Sequence, residues 1–367
     1  MYFVISAGGT AGHINPALAV ADELRKMGHE ILFVGTPNHI ESKLACEAGF
    51  PFLGLELSGF DKSKPWSLFG AIKKILKASK KMKKLFEEKR PDAVLGFGAY
   101  VSIPVGRAAN SLNIPLIIHE QNSVPGMANK YLAKHATLLA LTYKESKDYF
   151  KNMPKETKVI GNPVRASFES SSRERGREKL NIPSDAHMLL VFGGSLGAHH
   201  INSVICSMKN ELLAIDNLYI IQSSGERDFD FVKTTLDLND EEQKRWQVFE
   251  YIKDMGDVLA ASDLVLSRAG ASSLAEIMTI GVASILVPYP YARSDHQTLN
   301  AKSCVECGAA KLVADSDVDS DEFRALLLDL LSNQSKRDSM AKACKAFSGT
   351  DARTNLSSEA VRIGGSK

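Results

Sequence analysis

The segment Tyr2-Phe3-Val4-Ile5-Ser6-Ala7-Gly8-Gly9-Thr10-Ala11-Gly12-His13 decides the fold of this chain. Its short apolar run predicts a buried strand, and the glycines that follow predict a tight turn into a helix. Asn15 is the expected N-cap, with Pro16 at the first helical position and Gly28 just beyond the helix end. A strand, a glycine turn and a helix in this order predict the first unit of a parallel α/β sheet.

The same pattern returns at Leu189-Leu190-Val191-Phe192, which runs into Gly193-Gly194-Ser195-Leu196-Gly197-Ala198. A length of 367 residues also exceeds what one hydrophobic core usually serves. Other apolar runs alternate with helical patterns and predict strands at 31–34, 93–95, 116–118, 218–222, 247–250, 264–266 and 284–287. We therefore predict an α/β protein with two Rossmann-like domains, residues 1–163 and 164–345, whose parallel sheets face each other across a cleft. Residues 346–367 are predicted to form a C-terminal tail, and one expectation is that this tail packs against the first domain.

The two glycine turns indicate the ligand class. Turns at the carboxyl ends of parallel strands expose backbone N–H groups and a helix N-terminus, which suit a diphosphate. Neither turn has the G-x-G-x-x-G spacing of a dinucleotide site, and the chain has no P-loop motif. We also expect no Asp-x-Asp metal clamp at a strand end. These features favour a nucleotide diphosphate whose charge is neutralised by helix ends and basic side chains, without a metal ion or other cofactor.

Two further motifs follow predicted strands. His119-Glu120-Gln121-Asn122 brings four polar side chains to the end of one strand, although Asn122 alone would serve an Asx turn. In the second half, the segment 267–276 again reads as strand, small-residue turn and helix. Its Ser273-x-x-Glu276 is formally a capping box, and the alternative is that Glu276 accepts hydrogen bonds from a ribose.

A basic segment lies between Lys62 and Arg90, with eleven Lys or Arg against two acids. From Trp66 onward its apolar residues recur at helical intervals, which predicts an amphipathic helix facing anionic lipid. Its predicted membrane residues are Trp66, Phe69, Ile72, Lys73, Lys74, Ile75 and Lys77. The alternative is an ordinary surface helix with a buried apolar face. No apolar run reaches the ~20 residues that a membrane span requires, and no aromatic stacking motif suggests nucleic acid.

Seven ordered motifs together resemble the MurG family and cover nearly the whole chain to about residue 345. They lie at 8–13, 96–102, 119–122, 161–165, 193–198, 268–276 and 295–301. The resemblance implies a GT-B fold and an inverting, metal-independent transfer of N-acetylglucosamine from UDP-N-acetylglucosamine to the 4-hydroxyl of the muramoyl residue of lipid I. It also implies a peripheral position on the cytoplasmic face of the bacterial membrane. The alternatives are a GT-B enzyme acting on another membrane lipid, and a non-catalytic UDP-sugar-binding protein.

The family's site residues transfer to matching positions. His13 is the first candidate for the base, because an imidazole titrates near neutral pH. The alternative for His13 is a hydrogen bond that orients a phosphate or fixes the loop. Glu120 is the second candidate for the base, and the alternative is a purely structural role in its turn. Ala11 stands where many members have glycine, and its methyl group narrows the allowed backbone angles. In the family's pattern Ile252 meets uracil through its backbone and Glu276 holds the ribose. The implied donor contacts are Thr10, Ala11, Gly12, Asn122, Arg165, Ser195, Ile252, Ala271, Ser272, Ser273, Leu274, Ala275, Glu276 and Gln297.

Overall fold

The computed structural model describes residues 1–57, 66–194, 197–347 and 351–366. It divides into two compact units, the first formed by Met1–Arg165 with Thr350–Lys367 and the second by Ala166–Gly349. Each unit is built on one parallel β-sheet with helices between its strands. The predicted α/β class with two parallel-sheet domains is therefore confirmed.

The first unit has a seven-stranded sheet in the order β3-β2-β1-β4-β5-β6-β7. Its strands are β1 (Tyr2–Ser6), β2 (Glu30–Gly35), β3 (Phe52–Gly54), β4 (Ala93–Gly96), β5 (Leu116–Glu120), β6 (Leu138–Leu141) and β7 (Glu156–Val159). The helices between them are α1 (Ala11–Lys26), α2 (Ile40–Glu47), α3 (Trp66–Glu88), α4 (Ala99–Ser111) and α5 (Met127–Ala133).

The second unit has a six-stranded sheet in the order β10-β9-β8-β11-β12-β13. Its strands are β8 (His187–Phe192), β9 (Leu218–Ser223), β10 (Trp246–Phe249), β11 (Leu264–Ser267), β12 (Ala283–Leu286) and β13 (Ala310–Leu312). Its helices are α6 (Arg173–Leu180), α7 (His199–Ser207), α8 (Lys209–Leu213), α9 (Phe229–Leu236), α10 (Asp240–Arg245), α11 (Met255–Ala261), α12 (Ala271–Ile280), α13 (His296–Glu306), α14 (Asp321–Ser332) and α15 (Gln334–Phe347).

The chain then returns to the first unit as α16 (Ala352–Gly365). Leu356 of this helix is fully buried in the same apolar cluster as Phe3 and Ile5 of β1. Arg353 forms an ion pair with Glu23 of α1 at 3.1 Å. The last helix is thus a structural part of the first sheet's cover.

Successive residues of a strand bury their side chains on opposite faces of the sheet, because side chains alternate along a strand. In β1, Phe3 and Ile5 pack toward α1, α2 and α16. Val4 packs the other way, in a cluster that includes Met82 of α3 and Val105 of α4. Both faces of the sheet are therefore covered, as a parallel sheet requires.

The strand order reverses once in each sheet, between β1 and β4 in the first unit and between β8 and β11 in the second. Open α/β sheets bind ligands beyond the carboxyl ends of their strands at such reversals. Both glycine turns lie at these positions, because they follow β1 and β8 directly.

One predicted helix start was wrong. Helix α1 begins at Ala11 with Thr10 as its N-cap, and Pro16 lies inside the helix, not at its first position. The helix starts early because the backbone N–H groups of His13 and Ile14 already donate to the Thr10 carbonyl. The prediction of the helix end was correct, since Gly28 follows the last turn with a φ of +84°.

Candidate active site

The first glycine turn joins β1 to α1, and two of its positions favour glycine. A Cβ on Gly8 would lie 2.8 Å from Glu41 Oε1, and Gly9 has a φ of +87°. Ala11 is the first residue of the helix and does not have a positive φ, so its methyl group fits the backbone there. The turn therefore presents backbone at the end of β1.

Glu41 packs against this turn, and its role as a site residue was not predicted from the sequence. Its side chain is 1% exposed, and Oε1 accepts a hydrogen bond from the Thr36 backbone N–H at 3.0 Å. The carboxylate thus links the turns that follow β1 and β2. No sequence motif marks it, because it lies in the second position of an ordinary helix.

His13 lies at the point where the first sheet reverses its strand order. Its Nδ1 is 3.2 Å from Thr10 Oγ1. Gly98 follows β4 with a φ of +101°, and a Cβ there would lie 2.9 Å from His13 Cδ2. The missing side chain of Gly98 therefore leaves the space that the half-buried imidazole occupies.

Glu120 ends β5 and is held by a full set of hydrogen bonds. Its Oε1 accepts from the Asn122 backbone N–H at 3.0 Å, and Oε2 accepts from the Gly126 N–H at 3.1 Å and from Asn129 Nδ2 at 2.8 Å. Burial raises the pKa of the Glu120 carboxyl, and the hydrogen bonds from Asn122, Asn129 and Gly126 oppose that rise. The carboxylate organises the turn from Glu120 to Gly126.

His119 precedes it and is buried in a neutral form. Burial lowers the pKa of this imidazole to about 4. Nε2 lies 2.9 Å from the Gly161 carbonyl, and Nδ1 lies 3.1 Å from Gln121 Nε2. A proton on Nε2 satisfies both contacts, since that nitrogen then donates to Gly161 while Nδ1 accepts from Gln121.

The second glycine turn is even more crowded than the first. A Cβ on Gly193 would lie 2.4 Å from the backbone nitrogen of Ala198, and one on Gly197 would lie 2.3 Å from the Ser224 carbonyl oxygen. Real Cβ atoms cannot approach so closely, so only glycine fits at either position. Ser195, a predicted donor contact, lies outside the described residues.

The segment after β11 leads directly into α12. This helix begins at Ala271 with Gly270 as its N-cap and no side-chain cap. Ser273 and Glu276 therefore lie within the helix, and the capping-box alternative for Glu276 is wrong. Gln297 lies in the second position of α13, where its Oε1 accepts from the Tyr289 backbone N–H at 2.9 Å.

The predicted donor contacts other than Ser195 share one structural position within their own units. Each lies just beyond the carboxyl end of a strand or in the first turns of the helix that follows, as Asn122 does after β5 and Ile252 after β10. In the first unit these are Thr10, Ala11, Gly12, Asn122 and Arg165, and in the second Ile252, the run from Ala271 to Glu276, and Gln297.

The large apolar residues of the predicted amphipathic helix α3 are mostly exposed in its first half and mostly buried in its second half. Phe69, Ile72 and Leu76 in its first half are 71%, 45% and 46% exposed, whereas Met82 and Phe86 in its second half are buried in the core. The predicted membrane residues Lys73, Lys74 and Lys77 are exposed, and Ile75 is half-buried. The side chain of Trp66, together with Lys62 and Lys64, lies outside the described residues.

Among residues 1–57, 66–194, 197–347 and 351–366, no helix is long and apolar enough to cross a membrane. Within the same ranges, no three or more His, Cys, Asp or Glu side chains gather in a group suited to a metal ion. Cys304 and Cys307 are both free thiols.

Both halves of the chain match known family descriptions. Residues 3–140 match the glycosyltransferase family 28 N-terminal domain, and residues 188–356 match its C-terminal domain. The UDP-N-acetylglucosamine–N-acetylmuramyl-(pentapeptide) pyrophosphoryl-undecaprenol N-acetylglucosamine transferase of Halothermothrix orenii is 37% identical over 97% of each chain. The protein of the same name from Carboxydothermus hydrogenoformans is 38% identical over 93% of this chain and 92% of its own.

Solved structures agree with these matches. The crystal structure of MurG from Acinetobacter baumannii has a TM-score of 0.75 and 28% identity, and covers 98% of this chain and 99% of its own. A UDP-N-acetylglucosamine 2-epimerase from Listeria monocytogenes has a TM-score of 0.70 at 16% identity and covers 97% of this chain and 94% of its own. That second likeness concerns the fold alone. With the glycosyltransferase matches, the predicted GT-B fold is confirmed.

The buried neutral His119 predicts that the first unit loses stability in acid. In the unfolded chain this imidazole has its ordinary pKa of 6.5, and in the folded chain a pKa of about 4. As the pH falls through this window the unfolded state takes up a proton that the folded state refuses, so stability falls by up to roughly 3 kcal/mol. Urea denaturation at several pH values, followed at the methyl resonances of Ile117, measures this loss.

His119→Gln removes the titrating group but keeps an N–H that can donate to the Gly161 carbonyl. We expect this variant to lose most of the acid sensitivity between pH 6.5 and 4. His135→Gln is the matched control, because His135 is an exposed histidine of the same unit. The interpretation fails if His119→Gln keeps the wild-type pH dependence.

Proposed function

The chain belongs to the MurG family within glycosyltransferase family 28, and on that premise we propose how its residues carry out the family's reaction. The enzyme transfers N-acetylglucosamine from UDP-N-acetylglucosamine to N-acetylmuramyl-(pentapeptide) pyrophosphoryl-undecaprenol, which is lipid I, and so forms lipid II for peptidoglycan. The observation that carries this function is the match of both family 28 domains and of whole-length relatives with that name. The transfer inverts the anomeric centre, with the 4-hydroxyl of the muramoyl residue as nucleophile.

The donor binds mainly to the second unit. Its glycine turn offers backbone N–H groups at the start of α7, where a helix end favours a diphosphate. Ile252 contacts uracil, Glu276 holds the ribose, and Ser195 and Gln297 address the diphosphate and sugar. The location of Ile252, Glu276 and Gln297 after successive strand ends of one sheet supports this assignment.

His13 acts as the base that removes the proton from the acceptor hydroxyl. Its position at the strand reversal of the first sheet supports this role, because ligands bind at such reversals. The contact with Thr10 Oγ1 orients the ring. Glu120 suits a different role, since both of its oxygens already accept hydrogen bonds from its own turn.

The first unit meets the membrane through the layer formed by α3, α4 and α5. These helices contain nine basic and two acidic residues, whereas α1, α2 and α16 on the opposite face contain five of each. Phe69, Ile72 and Leu76 project from the basic layer at helical spacing. A basic surface with exposed apolar residues attracts anionic lipid and inserts shallowly. The enzyme is therefore peripheral, on the cytoplasmic face where a reducing compartment keeps its five cysteines free.

The enzyme needs no metal ion for the departure of UDP. The positive end of α7 and neighbouring basic side chains neutralise the diphosphate as the glycosidic bond breaks. A transfer that continues at its normal rate in EDTA is the expected outcome of this arrangement.

A transfer assay tests the function directly. Purified protein is mixed with UDP-N-acetylglucosamine labelled in the sugar and with a lipid I analogue, in the presence and absence of EDTA. We expect labelled sugar to move to the lipid I analogue in both conditions and not to diacylglycerol. Donor binding without any transfer would mean a binding protein, and transfer to diacylglycerol would mean a different acceptor.

Replacement of the proposed base tests the mechanism. His13→Ala should lower kcat by about 100-fold or more, the usual contribution of a general base. The Kd for UDP, measured by calorimetry, should stay close to that of the wild type. Weaker UDP binding with only a modest loss of kcat would instead make His13 a residue that positions the phosphate.

The lipid-facing residues are tested with vesicles. Phe69→Ser combined with Leu76→Ser should weaken binding to phosphatidylglycerol vesicles by at least about tenfold, because the inserted apolar area is lost. Tyr291→Ser is the matched control, since Tyr291 is 82% exposed and belongs to the second unit. Equal vesicle binding by all three proteins, measured by co-sedimentation, would contradict the proposed membrane face.

A further inference from the structure

Asp315 joins two separate segments of the second unit through one carboxylate. Its Oδ1 accepts a hydrogen bond from Arg268 Nη1 at 2.5 Å, and its Oδ2 lies 3.1 Å from His200 Nδ1. The side chain is only 16% exposed. Asp315 belongs to a short 3-10 helix, Asp315–Asp317, that follows β13.

The first segment is the start of α7. His200 is the second residue of this helix, which follows the crowded glycine turn. On one side the turn is fixed by Gly197, whose backbone lies against Ser224. The contact between His200 Nδ1 and Asp315 Oδ2 fixes the helix start on the other side.

The second segment is the loop between β11 and α12. The Arg268 guanidinium also donates to the carbonyls of Val287 and Pro288, at 3.3 and 3.1 Å, just beyond β12. Arg268 is 8% exposed, so its charge needs a buried partner, and Asp315 supplies one. Burial raises the pKa of the Asp315 carboxyl, but hydrogen bonds from His200 and Arg268 outweigh it and hold that pKa below its usual range.

Asp315-Ser316-Asp317 is also an Asp-x-Asp sequence beyond a strand end, which corrects the expectation that the chain has none. Strand β13 was not predicted, so the position of these acids was not recognised. One oxygen of Asp315 faces the Arg268 guanidinium and the other faces the His200 imidazole. Its carboxylate therefore fastens two protein segments together.

We propose that Asp315, through His200 and Arg268, is a positioning residue for the donor site. It holds the start of α7 and the loop before α12 at the separation that the UDP diphosphate and ribose require. This inference rests on the proposed donor site in the second unit. A diphosphate bound by fixed backbone N–H groups tolerates little displacement of those groups, because each hydrogen bond weakens steeply with poor geometry.

The test compares UDP binding by calorimetry with the KM for UDP-N-acetylglucosamine and with kcat. Asp315→Ala should raise the Kd for UDP and the donor KM by roughly tenfold or more, with a smaller change in kcat. His200→Ala should raise both by about fivefold. His200→Gln should bind UDP nearly as the wild type does, because its amide N–H can still donate to Asp315.

Asp263→Ala is the matched control within the same unit. Asp263 likewise accepts from two side chains, Arg173 and Arg177, and its own side chain is 19% exposed. It directly precedes β11, however, and so lies at the amino-terminal ends of the strands, away from the donor site. We expect it to lower the melting temperature without changing the Kd for UDP. If Asp315→Ala does not fold, the two His200 variants still decide the matter.

The inference is overturned if His200→Ala and His200→Gln bind UDP equally, or if Asp263→Ala weakens UDP binding as much as Asp315→Ala does. The second result would mean a general loosening of the unit. Wild-type protein that fails to bind UDP would instead reject the proposed donor site itself, and the inference with it.

Discussion

The candidate site of this enzyme depends on close packing around the glycines at the carboxyl ends of β1 and β8. A side chain at Gly8 would strike Glu41, and side chains at Gly193 and Gly197 would strike backbone atoms within 2.4 Å. At Gly8, Gly193 and Gly197 these clashes leave the main chain, with no side chain, at the strand reversal. A helix begins within a few residues of each turn, so its positive end reinforces the same surface. The same two glycine turns therefore connect strand to helix in the fold and form the surface proposed to bind the diphosphate.

The sequence predicts most of the sheet, because buried parallel strands are continuous apolar runs bounded by turn residues. The strands it misses are β3, β6, β7 and β13. Three of these lie at sheet edges and two have only three residues, so their sequences carry little of the buried-strand pattern. The start of α1 was misplaced for a different reason. Asn15 and Pro16 form a strong local signal, but the hydrogen bonds to the Thr10 carbonyl begin the helix earlier.

Site residues could be predicted from the sequence where neighbouring residues mark them, but not where their role depends on partners that are distant in the chain. His13, Asn122 and Glu276 are visible in the sequence because polar residues just after an apolar strand are conspicuous. Glu41 and Asp315 are not visible, since their importance arises from partners that the fold brings to them. Asp315 and His200 are 115 positions apart in the chain, and no local rule connects them. The basic layer of α3 to α5 is intermediate, because its charge is evident in the sequence while its exposed and buried apolar residues separate only in the structure.

The donor nucleotide is proposed to bind at the carboxyl ends of the strands of the second sheet, and hydrogen exchange with and without UDP measures this most directly. We expect UDP to slow exchange of the backbone amides between Gly193 and His199 and between Ala271 and Glu276. Amides at the amino-terminal ends of the strands, such as that of Met188 in β8, should exchange at unchanged rates. Unchanged exchange in both of these segments, while UDP demonstrably binds, would contradict the proposed donor site.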